Sequence, residues 1–302
     1  MKLFYYQAPK GNIGDDLNKW IWPKLLGNCL DDDPSHLIIG IGTLLNSKLP
    51  KAEKYTVLTS GVGYHEKMVF DPKAFNVVAL RGHLSQKELG IRKKNICLLD
   101  GAYLLPSLLN PKRTPTDKIG YIPHVDSITN GRWEDVCKLT GIVLIDPRWG
   151  VEKFISALTS CSKVITEAMH GAILADAYRI PWQPAKAYNY INLFKWDDWA
   201  SSLSLEFKFT HLEPTWVGDH NLPIKRKAIN SVKRVMLKSG FFLKQWDLVL
   251  PTRTKDEIID KNAELLSFNA RFSPYYISKS NLVSKRTNQL LEIVLDFNSN
   301  RF

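Results

Sequence analysis

Cysteine is scarce in this chain, with four in 302 residues. Cys29, Cys97, Cys137 and Cys161 are scattered, and each sits in or beside an apolar stretch. None forms a C-x-x-C pair or stands at zinc spacing to a histidine. That spacing offers no cysteine-based metal module, and reduced, buried thiols in a cytosolic protein are expected ahead of disulfides. No run approaches the roughly 20 apolar residues needed to cross a bilayer, and the opening MKLFYYQAPKGNIGDD lacks the apolar core of a secretory leader. Any membrane role is therefore expected to be peripheral. G-x-G-x-x-G and G-K-[ST] are both missing, which excludes the dinucleotide fingerprint and the nucleotide phosphate loop. There is no repeat of solenoid length and no low-complexity tract.

Acid is also in short supply, at 30 residues against 41 lysines and arginines, for a formal charge of +11. This balance favours anionic partners: phosphorylated small molecules, nucleic acid or an anionic membrane face. The charge is unevenly placed, since from Asn221 onward there are 15 basic and 7 acidic residues, +8 of the total. Nucleic acid is set aside, because no nucleic-acid-binding motif is present and the stretches GDD (14–16) and LDDD (30–33) would interrupt a phosphate-tracking surface.

What is present is an ordinary globular composition, 44% hydrophobic and 24% charged, on a chain long enough for two domains. Short apolar runs ending in glycine or a polar turn recur: HLIIGIGTLL (36–45), YTVLTSGVGY (55–64), FNVVALRGHLS (75–85) and NICLLDGAYLL (95–105). They do not alternate, as expected of strands buried on both faces, and helix-like stretches such as DDLNKWIWPKLL separate them. That order predicts a parallel α/β sheet. NPKRTPTDK (110–118), with two prolines and no apolar residue, reads as a linker. The pattern then restarts with IGYIPHVD (119–126), GIVLID (141–146), a helix at 151–161, KVITEAMHG (163–171), a helix at 172–180 and the strand PWQPAKAY (181–188). The expectation is an α/β fold of two Rossmann-like domains, 1–112 and 113–302, facing across a cleft, with a helical basic C-terminal region. In such sheets ligands gather at the carboxyl ends of the strands.

Within that region, residues 224–246 carry seven lysines and arginines and no acid, and Ile224, Ala228, Val232, Val235 and Met236 fall on one helical stripe. Two readings stand: a surface helix packed on the core, or a basic amphipathic helix lying on an anionic membrane.

Chemistry-bearing residues cluster at strand ends. GNIGDDLN (11–18) follows the first apolar run; Gly11 and Gly14 permit a tight turn, and Asp15 and Asp16 stand at a helix start. One aspartate is expected to cap that helix, leaving the other for a substrate hydroxyl or a proton. LRGHLS (80–85) puts Arg81 at a strand end, where its planar fork suits a carboxylate or phosphate. YIPHVD supplies His124, DPRWG supplies Arg148, and TEAMHGAI supplies Glu167, His170 and Gly171. Cations and imidazoles converging on one cleft imply a small anionic substrate. A carboxylate near an imidazole is the minimum equipment for general acid–base work.

The same segments carry a resemblance. GNIGDDLN, LRGHLS, LLDGAYLL, GYIPHVD, the block FISALTSCSKVITEAMHGAILADAYRIPW (154–182) and KWDDWASSL (195–203) are similar to stretches of the polysaccharide pyruvyltransferase family, over roughly residues 1–203. The resemblance implies the two-Rossmann GT-B arrangement. It also implies transfer of the pyruvyl group of phosphoenolpyruvate onto sugar hydroxyls as a cyclic ketal, with no cofactor and no metal. Many members have Arg-Leu-His where this chain has Ala168-Met169-His170, so another cation must stand in, with Arg148 or Lys195 nearest in sequence. The roles expected on this basis are His170 as acid, Asp16 as base, and Arg81, His124, Arg148, Lys195, Gly14 and Gly171 around the donor. Asp15 and Glu167 are expected near the acceptor. The acceptor expected is a saccharide on a lipid carrier at the inner face of the cytoplasmic membrane. A nucleotide-sugar glycosyltransferase on the same fold is the alternative.

Overall fold

A computed structural model describes residues 1–63, 68–92, 96–112, 116–189, 191–216, 223–238 and 254–299. Two parallel sheets organise it. The first contains β1 (Lys2–Phe4), β2 (His36–Ile39), β3 (Lys54–Leu58), β4 (Phe75–Leu80) and β5 (Cys97–Leu98), lying side by side in chain order. The second contains β6 (Ile119–Ile122), β7 (Val143–Leu144), β8 (Lys163–Thr166), β9 (Trp182–Lys186) and β10 (Thr210–His211), in the order β7-β6-β8-β9-β10. Only the second sheet reverses direction, between β6 and β8. Its order is the doubly wound 2-1-3-4-5 pattern, in which a crevice opens where the winding turns back. The parallel α/β expectation therefore holds, but the first sheet has no such reversal and is not wound in the Rossmann manner.

The non-alternating runs have a direct cause. Ile38 and Ala79 face one core while their neighbours Leu37, Ile39 and Leu80 face another, because helices and loops cover both sides. Val164 and Ile165 divide in the same way in the second sheet. Ile38, Val57 and Ile165 are fully buried, each contributing roughly 2 kcal/mol. All four cysteines are buried thiols with no disulfide among them.

Helices α1 (Ile13–Leu26), α2 (His83–Glu88) and α3 (Leu105–Leu108) accompany the first sheet. The run 95–105 is a strand for only two residues, since Asp100 accepts the Ala102 N–H and starts a tight 3-10 turn, Gly101–Leu104. Helices α4 (Val125–Asn130), α5 (Trp133–Thr140), α6 (Val151–Thr159), α7 (Met169–Ala177) and α8 (Leu193–Leu203) accompany the second sheet. Three more follow: α9 (Ile224–Lys238), α10 (Asp256–Phe272) and α11 (Ser280–Ser299). The expected basic helix is thus observed to Lys238, and its remainder at 239–246 lies outside the described residues.

The last helix returns to the first half. Arg286 of α11 donates to the Leu98 carbonyl at 3.0 Å, and Cys29 Sγ meets Asn298 Oδ1 at 3.0 Å. Val283, Leu290 and Val294 join the same core as Ile13, Leu17 and Trp22 of α1. That core runs on without a break into α6, α7 and the cluster Trp182, Trp196 and Trp199. Asp176 cross-links it: fully buried, it accepts from Tyr103 Oη at 2.8 Å, Trp182 Nε1 at 3.1 Å and the Ser278 N–H at 2.8 Å. The two halves also meet through the Ile13 N–H, which donates to the Pro147 carbonyl at 2.7 Å.

Candidate active site

A cavity of about 430 Å³ opens at the β6/β8 reversal, where the winding rule places a ligand. His124, Glu167 and His170 line it from the loops after β6 and β8, Asn192 and Lys195 from the start of α8, and Asn12 from the first half. Ile191, Trp196 and Trp216 provide apolar wall. The first turns of α7 and α8 both border the space, and helix starts, with their positive dipole ends, suit an anion there.

His170 occupies the first turn of α7 and stands against the first half on two sides. A Cβ on Gly14 would come within 2.1 Å of its Nδ1, so only glycine at that position of α1 admits the ring. Its Nε2 faces Asp100 Oδ2 at 3.7 Å; both atoms are buried, and neither has a hydrogen-bond partner. Asp100, fully buried behind the imidazole, was not singled out from the sequence. The available signal was an aspartate placed directly after a buried strand and before glycine in LLDGAYLL.

The two N-terminal aspartates divide the work differently from expectation. Asn12, not an aspartate, caps α1 by accepting the Gly14 N–H at 3.2 Å. Asp16 pairs with Lys19 at 2.8 Å and accepts the Asn12 N–H at 3.4 Å, so it braces the helix start. Asp15 accepts from Asn12 Nδ2 at 2.8 Å, and burial pushes its carboxyl up to about 6 against the opposing pull of His170 and Lys195. Lys195 is lowered to about 7 by burial and by Arg81, with Asp15 working the other way. Asp15, His170 and Lys195 therefore share one field.

Glu167 is fully buried and accepts from the His124 N–H at 3.0 Å and the Ala187 N–H at 3.2 Å. It stitches together the ends of β6, β8 and β9, and burial raises its carboxyl to about 7. His124 caps α4: its Nδ1 accepts the Asp126 N–H at 3.3 Å, which leaves the proton of the neutral ring on Nε2. Burial lowers its pKa, Asp126 opposes this, and Lys195 adds to the lowering.

Gly14, Asp15 and Asp16 of α1 do not line the cavity, and three more of the sequence-chosen residues stand elsewhere. Arg81 is fully buried behind the wall, donating to Asp198 Oδ2 at 2.9 Å, Thr43 Oγ1 at 2.8 Å and the Val62 carbonyl at 2.8 Å. Asp198 also accepts the Ser85 N–H at 2.7 Å, so this pair fastens α8, and with it Lys195, to the first half. Arg148 grips Asp146 through both Nε and Nη2, and its side chain does not line the cavity. A Cβ on Gly171 would meet Thr166 Oγ1 at 2.5 Å and Ile122 at 3.1 Å, so this glycine lets α7 pack onto β6 and β8 and does not face the cavity. Asn12, Asn192 and Trp216 are cavity residues that the sequence reading did not select. Among the described residues no group of three or more His, Cys, Asp or Glu is arranged to hold a metal ion.

Residues 59–182, which include Asp100, His124, Glu167 and His170, match the family model for polysaccharide pyruvyl transferase. The chain is 36% identical over 213 residues to the succinoglycan biosynthesis protein ExoV of Rhizobium meliloti, covering 69% of this chain and 66% of that protein, just under two thirds of its length. Among solved structures, an uncharacterised protein of Klebsiella pneumoniae aligns at 17% identity with a TM-score of 0.41, over 69% of this chain and 92% of that one.

Proposed function

We propose, from the match of residues 59–182 to the polysaccharide pyruvyl transferase family model, that this chain is a member of that family and transfers the pyruvyl group of phosphoenolpyruvate onto two hydroxyls of a saccharide. The product is a cyclic ketal of an exopolysaccharide precursor. The observation that carries the reading is the cavity at the β6/β8 reversal. It gathers two imidazoles, a buried lysine and two helix starts, and the Asp15 carboxyl shares the field of His170 and Lys195.

Phosphoenolpyruvate brings a carboxylate and a phosphate. Lys195, the Nε2–H of His124 and the first-turn N–H groups of α7 and α8 receive them, in the place of the arginine that Ala168 replaces. Bringing the anion to Lys195 raises its pKa again and keeps it charged. His170, as imidazolium, protonates the methylene carbon, and C2 becomes cationic, with the Asp100 carboxylate 3.7 Å behind the ring. A sugar hydroxyl adds to C2 as Asp15 takes its proton; this role passes to Asp15 because Asp16 is bonded to Lys19. Phosphate then departs with the C2–O electron pair. A second hydroxyl closes the ring, losing its proton, so the sum is phosphoenolpyruvate plus diol giving ketal plus phosphate. The acceptor assigned is a saccharide growing on a lipid carrier at the inner face of the cytoplasmic membrane.

Phosphate release from phosphoenolpyruvate with a panel of glycosides offering paired hydroxyls tests the assignment. Release that depends on both partners, with a new methyl resonance on the saccharide, is the expected result. Thermal stabilisation by nucleotide sugars but not by phosphoenolpyruvate would instead favour glycosyl transfer.

A further inference from the structure

Helix α9 takes no part in the cavity, and its composition is unlike that of any neighbour. Its sequence, IKRKAINSVKRVMLK, holds six lysines and arginines and no acid. At 100° per residue, Ile224, Val235, Ala228, Val232, Met236 and Ile229 fall within one arc of about 140°. Arg226, Lys227 and Lys233 fall on the opposite arc. The apolar arc is turned outward: Ile224 is 86% exposed, Val235 67%, Val232 54% and Ile229 46%. The contrast with α10 and α11 is direct, since those helices bury Ile259 and Leu266, and Leu290 and Val294.

An arc of isoleucine and valine left in water costs free energy that an ordinary surface helix would recover by packing. A nucleic-acid-tracking helix has no use for that arc. A second copy of α9 laid against it would bring two acid-free helices together. One environment accepts both faces at once: the boundary of an anionic bilayer, where apolar side chains enter the acyl region and cations meet headgroup phosphates. Lys225, which projects within the apolar arc, reaches the headgroups along its own stem.

We propose that α9 is an interfacial helix that docks this protein on an anionic lipid surface, with Ile224, Val232 and Val235 inserted and Arg226, Lys227 and Lys233 against the phosphates. The docking needs no turnover, so it stands or falls separately from pyruvyl transfer.

The test is co-sedimentation of the full chain with vesicles of phosphatidylcholine alone and of phosphatidylcholine mixed with phosphatidylglycerol. Wild type should pellet with the mixed vesicles only, and added salt should release it. The double variant Arg226→Glu/Lys227→Glu should lose on the order of 25-fold or more in partitioning. Val232→Glu/Val235→Glu should abolish binding despite its unchanged cations. Both variants should keep the wild-type melting temperature and the wild-type turnover on a water-soluble acceptor. Wild type remaining in the supernatant with both vesicles, equal binding to uncharged vesicles, or variants that bind like wild type would overturn the proposal. So would retention by duplex DNA in place of vesicles.

Discussion

The two halves of this molecule share a parallel α/β plan and differ in winding. The first sheet runs β1 to β5 in chain order, while the second reverses between β6 and β8. The cavity opens beside the half that reverses, because only there do neighbouring loops leave the strand ends in opposite directions. The halves also divide the chemistry. His124, Lys195 and His170 come from the second half, whereas Asp15 and Asp100 come from the first and face the imidazole and the lysine across the seam. The Asp100–His170 pair, which takes one partner from each half, is assembled only when the sheets are packed together.

Several substitutions break that division, beginning with the largest effect. His170→Ala should cut phosphate release by about 10²–10⁴ with the melting temperature nearly unchanged. Arg81→Met removes one partner of a fully buried ion pair and should destabilise the fold by about 3–5 kcal/mol in chemical denaturation. Arg148→Met, at a partly exposed pair, should cost about 1 kcal/mol or less. Two glycines sharpen the comparison. Gly14→Ala pushes against the His170 ring across the seam and should lower kcat by roughly 10². Gly171→Ala pushes into β8 and should instead cost about 1–3 kcal/mol of stability.

A pH profile tests the pairing of signs directly. As a base, Asp15 must be ionised, so kcat/KM should rise with pH through about 6; Lys195 must stay protonated, so it should fall above about 7 in the free enzyme. Asp15→Asn should erase the acid limb. Because the folded-state pKa of Asp15 is raised, the folded chain holds a proton that the unfolded chain has lost between about 3.8 and 6. Its contribution to stability is therefore present at low pH and declines across that window. Asp15→Asn should accordingly be no less stable than wild type at pH 7. Asp100→Asn, which keeps the cap to Ala102, should lose about tenfold in turnover, with no further loss when His170 is already alanine.

Local features of the fold were legible from the sequence. The runs 36–39, 55–58 and 163–166 read as doubly buried strands because helices cover both faces, and composition reports that directly. Strand order was not legible, since equal apolar runs pair equally well in either direction. The site divides along the same line. His170, His124, Glu167 and Lys195 stand at the cavity because strand ends and helix starts put them there. Arg81 has the same local signature, and its destination is decided by Asp198, 117 residues away. Asp100 was passed over for the converse reason: its partner lies on the other sheet. The choice between Asp15 and Asp16 turned on Asn12 taking the cap, which leaves one aspartate for Lys19 and the other within the field of His170 and Lys195.

Among the described residues the polypeptide leaves the first half between α3 and β6 and returns to it with α11. Because one core runs through both halves and buried Asp176 cross-links it, the distance between Asp100 and His170 is set by the same packing that joins the sheets, and a change that loosens the joint anywhere should be felt at the imidazole.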